Sequence, residues 1–204
     1  MRHKTTILFV LLGLCLIAAT YIFGNTASQA TFESHISSID NDSLLKTTWN
    51  KFANSVLNKD KKLFKELSTD CIHCSWCVTN TGTEDSLFEI YRSKNENIWY
   101  DKLYTELCFI PIDKFIKEDF DMIFIDKIKT RLMDTSKLNF ADDNHNAKLY
   151  SKPCIIADKR IKPDFKEVLL LSIDPTPKFE GAQSAFAFVK INGQYKFCGF
   201  STIP

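Results

Sequence analysis

Phe188-Val189-Lys190-Ile191-Asn192-Gly193-Gln194-Tyr195-Lys196-Phe197 decides the fold class of this chain. Asn-Gly between two stretches rich in aromatic and β-branched residues signals a two-residue hairpin, because both central positions need a positive φ that Asn and Gly adopt at least cost. The spacing predicts strands over 183–191 and 194–200. Upstream, Glu167-Val168-Leu169-Leu170-Leu171-Ser172-Ile173 predicts another strand, and its near-continuous apolar character implies cover on both faces. Residues 148–156 read as a short strand pair or one irregular strand interrupted at Pro153. Before them, 141–146 read as a polar turn. The C-terminal part of the chain is therefore a sheet.

Helical periodicity fills the preceding part. Leu45, Trp49, Phe52 and Val56 recur at spacings of four, three and four, an apolar stripe on one helical face with Asp42 or Ser43 as its cap. Asp60 caps a second short helix that turns Leu63, Phe64 and Leu67 inward. Leu87, Ile90 and Tyr91 mark a third, opening near Thr83 with early acidic residues that suit the helix dipole. Residues 97–109 form another amphipathic segment through Trp99, Leu103 and Leu107, ended by Pro111. Phe120, Phe124, Ile128 and Leu132 then predict one helix from about 113 or 119 to 133. Helices first and strands last define an α+β domain over 43–204, with the Trp49 helix packed on the C-terminal hairpin.

The N-terminus speaks to compartment. Arg2, His3 and Lys4 precede the apolar stretch Ile7 to Phe23, the pattern of a secretory signal or an uncleaved signal anchor. Its 17 residues sit at the lower edge for spanning a bilayer. Ser28-Gln29-Ala30 offers a small-residue cleavage site, so 1–30 reads as signal peptide or membrane anchor and the polar residues 31–42 as linker. Leu14 before Cys15 argues against lipid attachment. The expected location is periplasmic or secreted, or the membrane through a retained anchor. Loss of 1–30, which carry Arg2 and Lys4 and no acid, moves the formal charge from +1 to −1. No basic region points to nucleic acid, and no single-sign field points to capture of a charged partner.

Six cysteines remain after export: Cys71, Cys74, Cys77, Cys108, Cys154 and Cys198. An even number in an oxidising compartment favours disulfides, with fifteen connectivities open if all six pair. At least one bond is expected to involve Cys71, Cys74 or Cys77, reaching a distant cysteine as well as, or instead of, closing locally; Cys198 on the closing strand is one distant candidate. His73 supplies a fourth ligand type, yet zinc needs a second compact ligand pair, and Cys108, Cys154 and Cys198 are isolated in sequence. No metal or cofactor is expected, and His73 reads as a partly exposed residue in a turn. The overlapping Cys-x-x-Cys pairs raise thiol-disulfide chemistry, but Thr79-Asn80-Thr81-Gly82 follows them where a helix start would be needed to stabilise a thiolate.

Trp49-Asn50-Lys51-Phe52-Ala53-Asn54-Ser55-Val56-Leu57-Asn58-Lys59-Asp60, with Leu63 behind it, resembles the opening helices of the nuclear-transport-factor-2-like superfamily, and Phe188 to Phe197 its closing hairpin. The resemblance implies a cone: N-terminal helices wrapped by a curved antiparallel sheet. It implies three kinds of function, namely enzymes using a His/Asp or Tyr/Asp pair inside the cone, small-molecule binders, and noncatalytic association domains. Fold alone does not choose among them. No catalytic motif matches residue by residue. His35 falls in the linker and His145 in a polar loop, while Tyr91, Tyr104, Asp113 and Asp121 share no spacing that brings them together. The acids Asp119, Asp121 and Asp126 read as a solvated helix face. The expected function is an exported noncatalytic domain that binds an envelope or extracellular protein, a peptide or a small apolar ligand. Phe186, Phe188, Tyr195 and Phe197 would line or support its concave side. The alternatives are a cofactor-independent hydrolase or isomerase in that concavity, and a thiol-disulfide protein.

Overall fold

A computed structural model describes residues 43–142, 150, 152–158 and 163–203. Residues 1–42, with the expected signal, cleavage site and linker, lie outside them, as does His145.

Asn192 and Gly193 turn the chain at φ 50° and 78°, and the hairpin forms between β5 (Ala182–Ile191) and β6 (Gln194–Ile203) with Ile191 opposite Gln194. The remaining strands are β1 (Ser68–His73), β2 (Phe109–Pro111), β3 (Leu138–Asp142) and β4 (Phe165–Ile173). They build one six-stranded sheet in the order β2-β1-β6-β5-β4-β3. Every neighbouring pair is antiparallel except β1 and β6, which run parallel.

This topology corrects the sequence reading. The sheet is mixed and open, with edges at β2 and β3, and it does not curl into the cone that the nuclear-transport-factor-2-like resemblance implies. The α+β class stands; the curved antiparallel cone and the family resemblance do not. The overturning element is β1, a strand the sequence reading did not anticipate, with only its last residue, His73, assigned there to a turn. Its sequence, Ser-Thr-Asp-Cys-Ile-His, lacks apolar alternation, yet it is nearly all buried. Burial is tolerated because the hydroxyls find acceptors: Ser68 Oγ donates to the Phe64 carbonyl at 2.7 Å and Thr69 Oγ1 to that of Cys71 at 2.6 Å.

Helix α1 (43–57 among the described residues) lays Leu45, Trp49, Phe52 and Val56 on one face of the sheet. Asp60 caps α2 (Lys61–Glu66) by accepting from the Leu63 amide at 3.0 Å. Helix α3 (Gly82–Lys94) opens with a full capping box, in which Thr81 and Glu84 satisfy each other's backbone amides. Helix α4 (Trp99–Lys102) continues into a π-helical turn, Leu103–Leu107. The expected helix over 113–133 is broken into pieces. Helix α5 (Ile112–Lys114) runs through a second π-helical turn, Phe115–Asp119, into α6 (Phe120–Ile123); Phe124 and Ile125 then leave helical geometry before α7 (Asp126–Lys129). All four residues of the repeat are nevertheless buried.

The core on this face is a mesh of rings. Phe52 packs against Trp49, Phe64, Phe124, Phe186, Phe188 and Phe197 at centroid separations of 4.8–5.9 Å, the range in which aromatic pairs attract beyond their burial. On the opposite face Tyr150, Ile155 and Ile156 cover Ala187, Val189 and Cys198. The described residues of 148–156 form turns rather than the expected strand and act as a strap. A bulge in β6, between the pairs Phe188–Phe197 and Ala187–Gly199, breaks strict alternation. Cys198 therefore faces the strap while Phe197 and Phe200 both face the helices.

Candidate functional site

The concave side expected to hold a ligand is filled. Phe186, Phe188, Tyr195 and Phe197 are all fully buried, and rings from α1, α2 and α6 occupy the space above them. These four are core, and a ligand must be met at the surface.

The cysteines are also structural. Cys71 is bonded to Cys154, fastening β1 to the strap, and Cys74 to Cys77 within a tight turn. Cys108 and Cys198 are buried thiols in neither bridge, so Cys198 is not the distant partner; Cys71 meets the strap first, at a Cα–Cα separation of 5.5 Å from Cys154. Cys74 and Cys77 are wholly inaccessible, and the Cys108 thiol donates to the Tyr104 carbonyl at 3.2 Å and is pushed up by burial to about 11. Nothing here resembles an accessible, activated dithiol. His73 corrects a further expectation: it is a buried strand residue between the rings of Phe109 and Tyr150, with no partner for either nitrogen, and burial lowers its pKa to about 4. Among the described residues no group of His, Cys, Asp or Glu could hold a metal ion.

A cleft of about 250 Å³ opens where α3 faces the π-helical turn Leu103–Leu107 and the start of α5. Leu87, Phe88, Tyr91, Leu107 and Ile110 form its walls, and Glu84 and Lys114 its polar end. Glu84 is almost fully buried because its capping role draws it under Thr81, which leaves Oε1 2.8 Å from Lys114 Nζ. Burial works against the Lys114 charge, yet hydrogen bonding and attraction from Glu84 hold its pKa above the ordinary lysine value.

Behind this pair sits Asp119, wholly buried at the end of the second π-helical turn. Asn80 Nδ2 donates to its Oδ1 at 3.1 Å, while Oδ2 has no partner. Burial, reinforced by Glu84 and Glu118, pushes its pKa up to about 6 against the opposing pull of Asn80 and Lys114. The sequence reading treated Asp119 as a solvated helix acid; the π-helical turn shifts the helix phase and brings it inside.

Around the cleft, apolar side chains stand in solvent. Leu87 is 61% exposed, Ile90 51% and Tyr100 59%. Phe88 packs on Trp99, Trp99 on Tyr100 and Tyr100 on Tyr104, so the two helices present one continuous aromatic ridge. Tyr91 alone of the scattered tyrosines and acids noted in the sequence lines the cleft. Asp113 pairs with Lys65, and Asp121 with Lys59 and Lys61, on exposed surface.

Comparisons with protein-family models, curated proteins and solved structures find no match for this chain. Among the described residues no helix is long and apolar enough to cross a membrane.

Proposed function

We propose that this chain is an exported binding domain without catalytic machinery, which docks a protein partner on the face built by α3 and α4. The observation that carries the reading is the exposure of Leu87, Ile90 and Tyr100 beside a cleft with a charged end. Folded monomers keep such side chains scattered, and a gathered set rimmed by polar groups suits an interface. The partner's matching surface is an apolar segment that meets Leu87, Phe88 and Tyr91 and carries a polar group for the Glu84–Lys114 pair at the cleft's end. Two disulfides accord with an oxidising compartment, and the basic-then-apolar N-terminus with export.

Leu87→Glu and Tyr100→Glu fall on exposed positions and should leave thermal unfolding unchanged. Both should abolish capture of a partner that wild-type protein retains from native envelope or culture medium. Unchanged capture would reject this face. Cell fractionation with N-terminal sequencing tests export: product beginning after Ala30, or intact protein in membranes, supports it, and intact protein confined to cytosol rejects it.

Asp119 favours one second reading, an acid-base enzyme, because a carboxyl with a pKa near 6 suits proton transfer near neutrality. Its complete burial and the lack of a converging His among the described residues argue against it. Turnover of an ester or enolisable ketone that Asp119→Asn eliminates, with the fold intact, would establish that reading.

A further inference from the structure

A second cleft, remote in sequence from the docking face, has different chemistry. It encloses about 420 Å³ between α1 and the segment that leads from α7 into β3, a volume within the roughly 300–1,000 Å³ of small-molecule sites. Trp49, Leu132, Met133, Leu138 and Phe140 make its walls. Trp49 and Leu132 are buried beneath the cleft, with the Trp49 Nε1–H committed to the Leu132 carbonyl at 3.0 Å, and the apolar surface open to a ligand is that of Met133, Leu138 and Phe140.

The polar groups at its rim are of one kind. Lys46 and Asn50 stand one helical turn apart on α1, Thr135 adds a hydroxyl, and among the described residues no carboxylate lines the cleft. Lys46 Nζ lies 5.7 Å from the centroid of the Phe140 ring, over its face, and makes no ion pair among the described residues. A cation held over an aromatic wall, with a neutral amide donor beside it, complements an anion attached to an apolar body.

We propose that this cleft is a binding site for a small anionic amphiphile, an aryl or short-chain alkyl carboxylate or sulfonate, with the apolar body against Met133, Leu138 and Phe140 and the anion at Lys46. The site is independent of the protein-docking face and stands or falls separately from it.

Two fluorescent probes that differ by one charge test it on the full chain: anilinonaphthalene sulfonate and the uncharged phenylnaphthylamine. The sulfonate should bind saturably with one site, and more tightly than the neutral probe. Lys46→Gln should weaken the sulfonate about two- to fivefold, the scale of one exposed charge pair, while Lys46→Arg retains it and the neutral probe is unaffected. Placing a large ring in the cleft by Met133→Trp, at a position 46% exposed and tolerant of change, should weaken both probes about tenfold or more. Methyl NMR on methionine-labelled protein supplies a control that does not depend on variants: the Met133 signal should move with probe, and that of Met122, 52% exposed elsewhere, should not. Equal affinity for the two probes in wild type, sulfonate binding that leaves Met133 unmoved, or a Met133 shift that follows protein concentration alone would each overturn the proposal. The last would mean that a second copy of the chain occupies the cleft.

Discussion

The indole Nε1 of Trp49 donates to the carbonyl oxygen of Leu132 at 3.0 Å, tying the first described helix to a residue 83 positions later. Leu132 lies just past α7, and its carbonyl has left the helical ladder. Trp49→Phe keeps most of the ring packing and strands that carbonyl. The loss should be about 1–3 kcal/mol, the penalty of an unsatisfied buried acceptor, whereas Trp49→Ala should cost about 3–5 kcal/mol. Urea denaturation of both variants checks the order; a Trp49→Phe variant as stable as wild type would show that the hydrogen bond contributes nothing.

Stability between pH 4 and pH 6 reflects two buried groups that oppose each other. Burial lowers His73 from 6.5 to about 4 and raises Asp119 from 3.8 to about 6. As pH falls from 6.5 to 4 the unfolded chain takes up a proton that folded His73 refuses, so stability drops. As pH rises from 3.8 to 6 the unfolded chain releases a proton that folded Asp119 keeps, so stability drops in the other direction. Wild-type protein should therefore change little across this range. Asp119→Asn should expose a fall on acidification, and His73→Phe a gain. Denaturation midpoints at pH 4, 5, 6 and 7 measure this, and parallel curves for all three proteins would refute it.

The two disulfides should differ in weight. Cys71–Cys154 closes a loop with a sequence separation of 83 and Cys74–Cys77 one of 3. Loop entropy makes the first worth about 4 kcal/mol and the second about 2. Calorimetry on the Cys71→Ser/Cys154→Ser and Cys74→Ser/Cys77→Ser pairs should rank them in that order. Nonreducing peptide mapping of the native protein should recover both bridges, and six unmodified thiols would contradict the pairing.

Gly199 is where β6 passes closest to the strap. A Cβ there would lie 2.6 Å from Tyr150 Cε1, and that ring is hemmed in by His73 and Phe165. Gly199→Ala should cost about 1–3 kcal/mol by overpacking. Combined with Tyr150→Ala, which removes the obstructing ring, it should cost almost nothing further. Additive losses in this double-mutant cycle would mean that the cost at Gly199 does not come from the Tyr150 ring.

What the sequence conveyed follows from how local each signal is. Leu45, Trp49, Phe52 and Val56 encode a helical face within their own spacing, and Asn192-Gly193 encodes a turn through φ alone; both stand in the structure. Strand β1 carries no such signal, because its polar residues are buried only through acceptors and neighbours supplied by Phe64 and by β6. Strand β3 was read in part as a polar turn; it owes its conformation to β4, which pairs with it from Leu138 opposite Leu170 to Asp142 opposite Lys166. Phe120, Phe124, Ile128 and Leu132 keep a helical repeat across a break at Phe124 and Ile125, so periodicity alone joined pieces that the backbone separates. The cleft at Glu84 and Lys114 joins residues of different helices, and no spacing announces it. The burial of Asp119 depends on one extra residue in a helical turn, which a pattern based on 3.6 residues assigns to the wrong side.

The parallel pairing of β1 with β6 fixes an order of events. Strand β6 is synthesised after the other five strands of the sheet, yet it is an interior one, flanked by β1 on one side and β5 on the other. Until it is made, β1 and β2 have no connection to β5, β4 and β3 within the sheet, and Cys71, Cys74 and Cys77 sit on or beside a strand with one side open. The sheet therefore has an unfinished centre until all its other strands have been made, and long-range closures of this kind are slow and prone to wrong pairing. A nascent chain without β6 would lack the seam that joins β2 and β1 to β5, β4 and β3.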